Sequence, residues 1–238
     1  VVAQGITAPL DVSVKACRNP PWLLRQFAYF KVDSCERKIW DQVKFDLPAG
    51  EKAVAGKRLT VNYSLTDDSK APTALMTQKN YVSALGKTGA RLMSDPADAS
   101  QAVFMQKTPA GEFWYMYHGG SGNADEIDSY LLTTIQVAPP PQEVVAQRTT
   151  GSLSDQQGKG CRNPPWLLKQ FSYFKLHDCT SRDFDSITLE LPSGTKTLAG
   201  QYLDVNYLLT DDNKEPTALY VQQNYIHALQ KIGAKLVS

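Results

Sequence analysis

Cys17-Arg18-Asn19-Pro20-Pro21-Trp22 occurs twice in this chain, returning unchanged as Cys161-Arg162-Asn163-Pro164-Pro165-Trp166. Two chemistries are open to the hexapeptide. The first is oxidation. Cys17 is followed by Cys35, and Cys161 by Cys179 at the same spacing, so the four cysteines read as two disulfides, one per copy. Metal binding would want closer pairs and further ligands, and redox catalysis would want C-x-x-C. Two such bonds imply an oxidising compartment: periplasm, cell surface or medium. The second chemistry is recognition. Arg18 and Arg162 offer a planar fork of donors, and Trp22 and Trp166 a large amphipathic surface held out by two prolines, a combination suited to gripping a peptide or a sugar. The competing reading places Trp22 in the core, with Leu23 and Leu24 directly after it, and is favoured here. Asn80 and Asn224 complete the candidate ligand-binding set. Both fall inside a predicted helix, where asparagine is a poor former, so the amide is expected to serve strand-end backbone or a ligand.

Catalytic chemistry finds less to work with. The three histidines are His118, His177 and His227, and the positions opposite the last two in the other copy are Asp33 and Ser83, so no His-based site is duplicated. No catalytic residue is assigned, and no motif calls for a cofactor or a metal. Asp67-Asp68 and Asp211-Asp212 lack the spaced D-x-D-x-D-G pattern of a calcium loop, and read as turn residues whose carboxylates bond neighbouring amides. Two alternatives stay open. One is an enzyme acting on cell-wall polysaccharide or peptidoglycan through Asp67, Asp68, Glu112 and Asp125 in a groove. The other is carbohydrate binding through exposed Trp22, Trp40 and Trp114.

The elements that position these residues are themselves repeated. Cys17–Ser94 matches Cys161–Ser238 without insertion or deletion, at a constant offset of 144 and with more than half of the positions identical. A period this long means duplicated domains rather than a solenoid. We read residues 1–16 as an N-terminal tail or linker, 17–137 as a first module, 138–160 as a Pro/Gln/Ser/Gly linker, and 161–238 as a second, C-terminally incomplete copy. Val144-Val145-Ala146-Gln147 echoes Val1-Val2-Ala3-Gln4. Within the first module, strands are expected at Phe27–Val32 and Gln42–Leu47, with a turn at Pro48-Ala49-Gly50. A third is expected through Leu59, Val61, Tyr63 and Leu65, whose odd-numbered side chains face inward. Pro72 opens a helix with Leu75, Val82 and Leu85 along one face, and Gly89 closes it. Gly233 does the same in the second copy, and each helix is followed by a short strand, Arg91–Met93 or Lys235–Val237. A hairpin at Ala102–Gln106 and Phe113–Tyr117, and a last strand at Tyr130–Val137, complete an α+β fold: an antiparallel sheet with one face covered by a helix, duplicated in tandem. The second copy stops short of the last three strands. Its open edge invites pairing with another chain and allows a homodimer through this incomplete module.

Charge and hydropathy narrow the partners. Lys plus Arg number 25 against 24 Asp plus Glu, a nearly neutral balance that offers little pull on nucleic acid. No run approaches the roughly 18 apolar residues of a membrane-spanning helix.

The run of motifs in the second copy resembles the periplasmic modules found upstream of OmpA-like peptidoglycan-binding domains in Gram-negative envelope proteins. The resemblance lies in Pro164-Pro165-Trp166-Leu167-Leu168 leading to Tyr173-Phe174, then Phe184-Asp185, Leu191-Pro192-Ser193-Gly194 and Leu198-Ala199-Gly200. It continues through Tyr207, Pro216, Asn224-Tyr225-Ile226-His227-Ala228-Leu229 and Gly233-Ala234, and covers most of residues 17–137 and 161–238. It implies an outer-membrane-associated, periplasmic location, a non-enzymatic binding or spacing role, and an envelope protein or cell-wall polymer as partner.

Overall fold

The computed structural model describes residues 1–13, 16–95, 97–119, 126–148 and 162–237. The chain divides into two compact units, Val1–Pro139 and Pro140–Ser238. Unit 1 is built on a six-stranded antiparallel sheet. Its strands are β3 (Phe30–Leu47), β4 (Gly50–Leu65), β5 (Arg91–Leu92), β6 (Gln101–Thr108), β7 (Gly111–Gly119) and β8 (Ser129–Val137), in the order β3-β4-β8-β7-β6-β5. A two-stranded ribbon of β1 (Val2–Ala3) and β2 (Leu23–Arg25) precedes it, and helix α1 (Ala74–Gly86) lies between β4 and β5.

The first strand of the six-stranded sheet, β3, is three times as long as either segment that its sequence pattern suggests. Phe27–Val32 and Gln42–Leu47 read as two strands because apolar alternation lapses between them. Residues 30–32 and 42–47 belong to one strand of 18 residues, residues 27–29 lying ahead of it, and the register of that strand against β4 shifts at Val32/Ser34 and again at Lys38/Asp41. Each bulge inserts unpaired residues and turns the following side chains to the other face, so a period of two cannot be followed through them. On the unbulged partner β4 the expected alternation holds: Leu59, Val61 and Tyr63 are buried.

Both faces of the sheet are covered. On one, Leu59, Val61, Tyr63, Tyr115, Tyr117 and Tyr130 pack with Trp22, Phe27 and Tyr81 into the main core. Residues 1–13 contribute to it: Ile6 and Leu10 are buried, and the Leu10 amide donates to Gln136 Oε1 at 2.8 Å. They are part of the packed unit and not a loose tail. On the other face the outer half of the β3–β4 hairpin curls back, so that Phe45 and Val54 meet Val103, Trp114 and Ile135, with Phe45 and Trp114 stacked at 5.4 Å between ring centroids. This overturns the α+β expectation. About 50% of the described residues are strand and 15% helix, and the second face is closed by strands instead of being left to solvent, which makes the protein mostly β and closer to a sandwich. Helix α1 also presents a different stripe from the expected one. Thr77, Gln78, Tyr81, Ala84 and Leu85 are buried, while Leu75 is exposed. Thr73 caps it, its hydroxyl accepting from the Met76 amide, and Gly89 follows its end with φ of 85°.

Cys17 and Cys35 are bonded, tying the segment before β2 to the middle of β3. The bond spans 18 residues; closing a loop of that size is worth about 3 kcal/mol in the chain-entropy account. The Cys17→Ser/Cys35→Ser double variant is therefore expected to lose about that much unfolding free energy in urea denaturation, and an unchanged midpoint would refute the bond's role as a staple. Cys161, the partner expected for Cys179, lies outside the described residues, and no described cysteine is free.

Unit 2 has the ribbon of β9 (Val145–Ala146) with β10 (Leu167–Lys169), the long hairpin of β11 (Phe174–Leu191) with β12 (Gly194–Leu209), and helix α2 (Ala218–Lys231). The two register shifts recur on β11, at Leu176/Asp178 and Arg182/Asp185. Lys235–Val237, expected as a strand, is not one, and Leu236 and Val237 are exposed.

Candidate functional site

The repeated hexapeptide folds alike in both units and ends in unlike surroundings. In unit 1 the Leu23 amide donates to Pro20 O, which turns Trp22 inward, and in unit 2 Leu167 donates to Pro164 O in the same way. Trp22 is then sealed beneath β8, 1% exposed, with its indole N–H on Thr134 Oγ1 at 2.8 Å. Tyr63 donates to Asn19 Oδ1, and Tyr81 to the hydroxyl of Tyr130. Trp166 takes the same turn, yet among the described residues no strand lies along the free edge of β12, and its ring stays half-buried.

The result is an open apolar groove of about 650 Å³ on unit 2, floored by Leu203, Val205 and Tyr207 of β12 and walled by Trp166, Leu167 and Tyr225. All three floor residues are half-buried, although their counterparts Leu59, Val61 and Tyr63 are buried. Polar groups in the groove are few and directed. Tyr207 donates to Asn163 Oδ1 at 2.8 Å, repeating the Tyr63–Asn19 bond, and its pKa is pushed up to about 12 by burial and then by Tyr225. The Trp166 indole N–H and the Tyr225 hydroxyl have no hydrogen-bond partner among the described residues. In unit 1 the matching donors are answered from β8, by Thr134 and Tyr130. Burial raises the pKa of Tyr225, which keeps its hydroxyl a donor at neutral pH.

The other candidates fall elsewhere. Arg18 and Arg162 are exposed and do not join a pocket with the tryptophans. Trp22, Trp40 and Trp114 are all buried, so the sugar-binding platform they would have formed does not exist. Asp67 caps a short 3-10 turn at Asp68–Lys70, accepting from Ser69 and pairing with Lys70 at 2.8 Å, as turn chemistry requires. Glu112 accepts from Trp114 Nε1 at the start of β7, at the opposite end of the sheet from Asp67 and Asp68, so these acids do not converge. Asp125, the fourth of the set, lies outside the described residues. His118 is exposed at the end of β7. Asn80 and Asn224 both donate from Nδ2 to the carbonyl one turn earlier, Met76 O at 2.9 Å and Tyr220 O at 3.2 Å. What differs is the other end of the amide: Asn224 Oδ1 accepts from the Glu143 and Val144 amides at 2.7 and 3.3 Å.

Sequence reasoning pointed to the open edge of the second copy but not to the groove. Its signal was present in the identity of Trp166 and Tyr225 with Trp22 and Tyr81, whose partners Thr134 and Tyr130 have no repeat. Among the described residues no helix is long and apolar enough to cross a membrane. No family model, curated protein or solved structure matches the chain.

Proposed function

We propose that this is a non-enzymatic, extracytoplasmic interaction or spacer protein, and that its second unit binds by receiving a β-strand along the free edge of β12. The observation that carries the reading is the pair of donors, Trp166 Nε1 and Tyr225 Oη, left unanswered among the described residues in an apolar groove whose counterpart in unit 1 is completed by β8. Strand addition supplies affinity through main-chain hydrogen bonds and selectivity through alternate side chains. The strand that fits has the pattern of β8: an aromatic hydroxyl, an aliphatic residue and a hydroxyl acceptor at alternate positions, as in Tyr130, Leu132 and Thr134. A cell-envelope setting, with an envelope protein or cell-wall polymer as partner, is supported by the Cys17–Cys35 bond and by the resemblance to modules that precede OmpA-like domains. The same edge on a second copy offers main-chain pairing without that pattern, its groove-side residues being Leu203, Val205 and Tyr207.

A synthetic peptide with the sequence Ser129–Val137, titrated into the full chain, is expected to shield the half-buried Trp166 from acrylamide saturably. The same peptide carrying Thr134→Val, which removes the acceptor for the indole N–H, is expected to bind about fivefold more weakly. Quenching that stays unchanged throughout, or equal binding by the two peptides, would defeat the reading.

A further inference from the structure

Helix α2 carries a second recognition surface, and its occupant is visible. Pro141–Val144 runs as an extended strap across Tyr173, Tyr220 and Asn224. Asn224 Oδ1 takes the Glu143 and Val144 amides, while the hydroxyls of Tyr173 and Tyr220 both donate to Glu143 Oε1, at 3.1 and 2.8 Å. Tyr220 also donates to Pro141 O at 3.0 Å, and Gln142 Nε2 to Asn224 O at 3.1 Å. Beneath the strap Tyr173 is 5% exposed, and Tyr220 and Asn224 1% each.

The same positions in unit 1 are Tyr29, Met76 and Asn80. Tyr29 is 49% exposed and Met76 53%, and Leu75, before Met76 on the helix, is exposed as well. The Asn80 amide is already set as in Asn224, with Nδ2 on Met76 O, and its Oδ1 accepts no hydrogen bond among the described residues. Tyr29 is held at φ of 66° and is the sole non-glycine residue with positive φ among the described residues, whereas Tyr173 under its strap is not so held. Lys70 Nζ, paired with Asp67 at 2.8 Å, stands 4.5 Å over the centroid of the Tyr29 ring. The path into this face is fixed as well. Gln4 bonds Trp22 O and Pro21 O just as Gln147 bonds Trp166 O and Pro165 O, so Val1 holds the place of Val144. The Val1 amino group is partly buried there, its pKa lowered by that burial and by Arg25.

We propose that the Tyr29–Met76–Asn80 face of unit 1 is a docking groove for an extended, acidic, proline-flanked segment of the type Pro-Gln-Glu, running into Val1. The segment's last two amides bond to Asn80 Oδ1, its proline and glutamine lie over Met76, and its carboxylate meets the Tyr29 hydroxyl. Because Met76 lacks the hydroxyl of Tyr220, the acid is held by one tyrosine instead of by two.

The test appends Pro-Pro-Pro-Gln-Glu ahead of Val1 in the full chain, beside a Gly/Ser appendage of equal length. In residue-resolved hydrogen exchange the appended Glu amide and the Val1 amide are expected to exchange about fivefold or more slowly than in the Gly/Ser form, the protection that one ordinary hydrogen bond confers. Asn80→Ala is expected to erase the difference while leaving the strap amides of unit 2 protected. Exchange at the Gly/Ser rate would overturn the proposal, and so would protection that survives Asn80→Ala.

Discussion

Trp22→Ala is expected to lower the unfolding free energy of unit 1 by about 3–5 kcal/mol, while Trp166→Ala, the same change in the same hexapeptide, costs unit 2 no more than about 1 kcal/mol. The difference is one of surroundings. Trp22 is enclosed by the sheet, T-shaped against Tyr81 and tilted against Tyr115, with its N–H on Thr134. Truncating it leaves a cavity among aromatic rings that cannot collapse, and strands a hydroxyl. Trp166 meets Tyr225 at 6.4 Å but otherwise faces the open groove, so its removal exposes little new surface. Its loss is expected to appear in strand binding instead. Residue-resolved hydrogen exchange reads the two units separately in one sample; equal destabilisation of both would mean that the groove is closed in solution.

Gly56→Ala is the second large effect. A Cβ at position 56 would stand 1.9 Å from Gln136 O and 2.9 Å from Ala138 N, backbone atoms on the neighbouring strand that no rotamer change can relieve. Gly56 is the last residue of β4 paired with β8 before the hairpin curls over the opposite face, and Trp40 Nε1 reaches Ala138 O beside it at 2.8 Å. Parting these strands disturbs the ladder and the Phe45–Trp114 stack together. We expect a loss of about 3 kcal/mol, seen as a fall of roughly 10 °C in the melting temperature of unit 1. A melting temperature within about 2 °C of the parent would show that the close approach is dispensable.

What could be read from sequence follows from which signals are local. The alternation in β4, the closing Gly89 and the hairpin at Thr108–Gly111 are each set by neighbours within a few residues, and each stands where it was expected, whereas the helix begins at Ala74 behind a Thr73 cap and not at Pro72. The bulges in β3 are not local, because they exist only in relation to β4, and they hid the length of the strand. The fold class was misjudged for the same reason: nothing near Phe45 or Val54 reveals that the hairpin bends onto Trp114. Asn80 and Asn224 were legible as misfits in a helix, but their use depends on a strap some eighty residues away in the case of Asn224. The groove on unit 2 was half legible, as an open sheet edge expected in the second copy. Its two directed donors emerge only when Trp166 and Tyr225 are laid against their partnered twins.

The placement of the bulges bears on how far such a protein can associate. Both irregularities in unit 2 lie on β11, which also carries Lys175, His177, Asp178, Arg182, Asp183 and Asp185, while β12 is smooth. Kinked, charged margins resist further pairing and straight ones accept it. Two copies paired through β12 would turn the kinked, charged β11 of each unit 2 outward, a margin that resists further pairing.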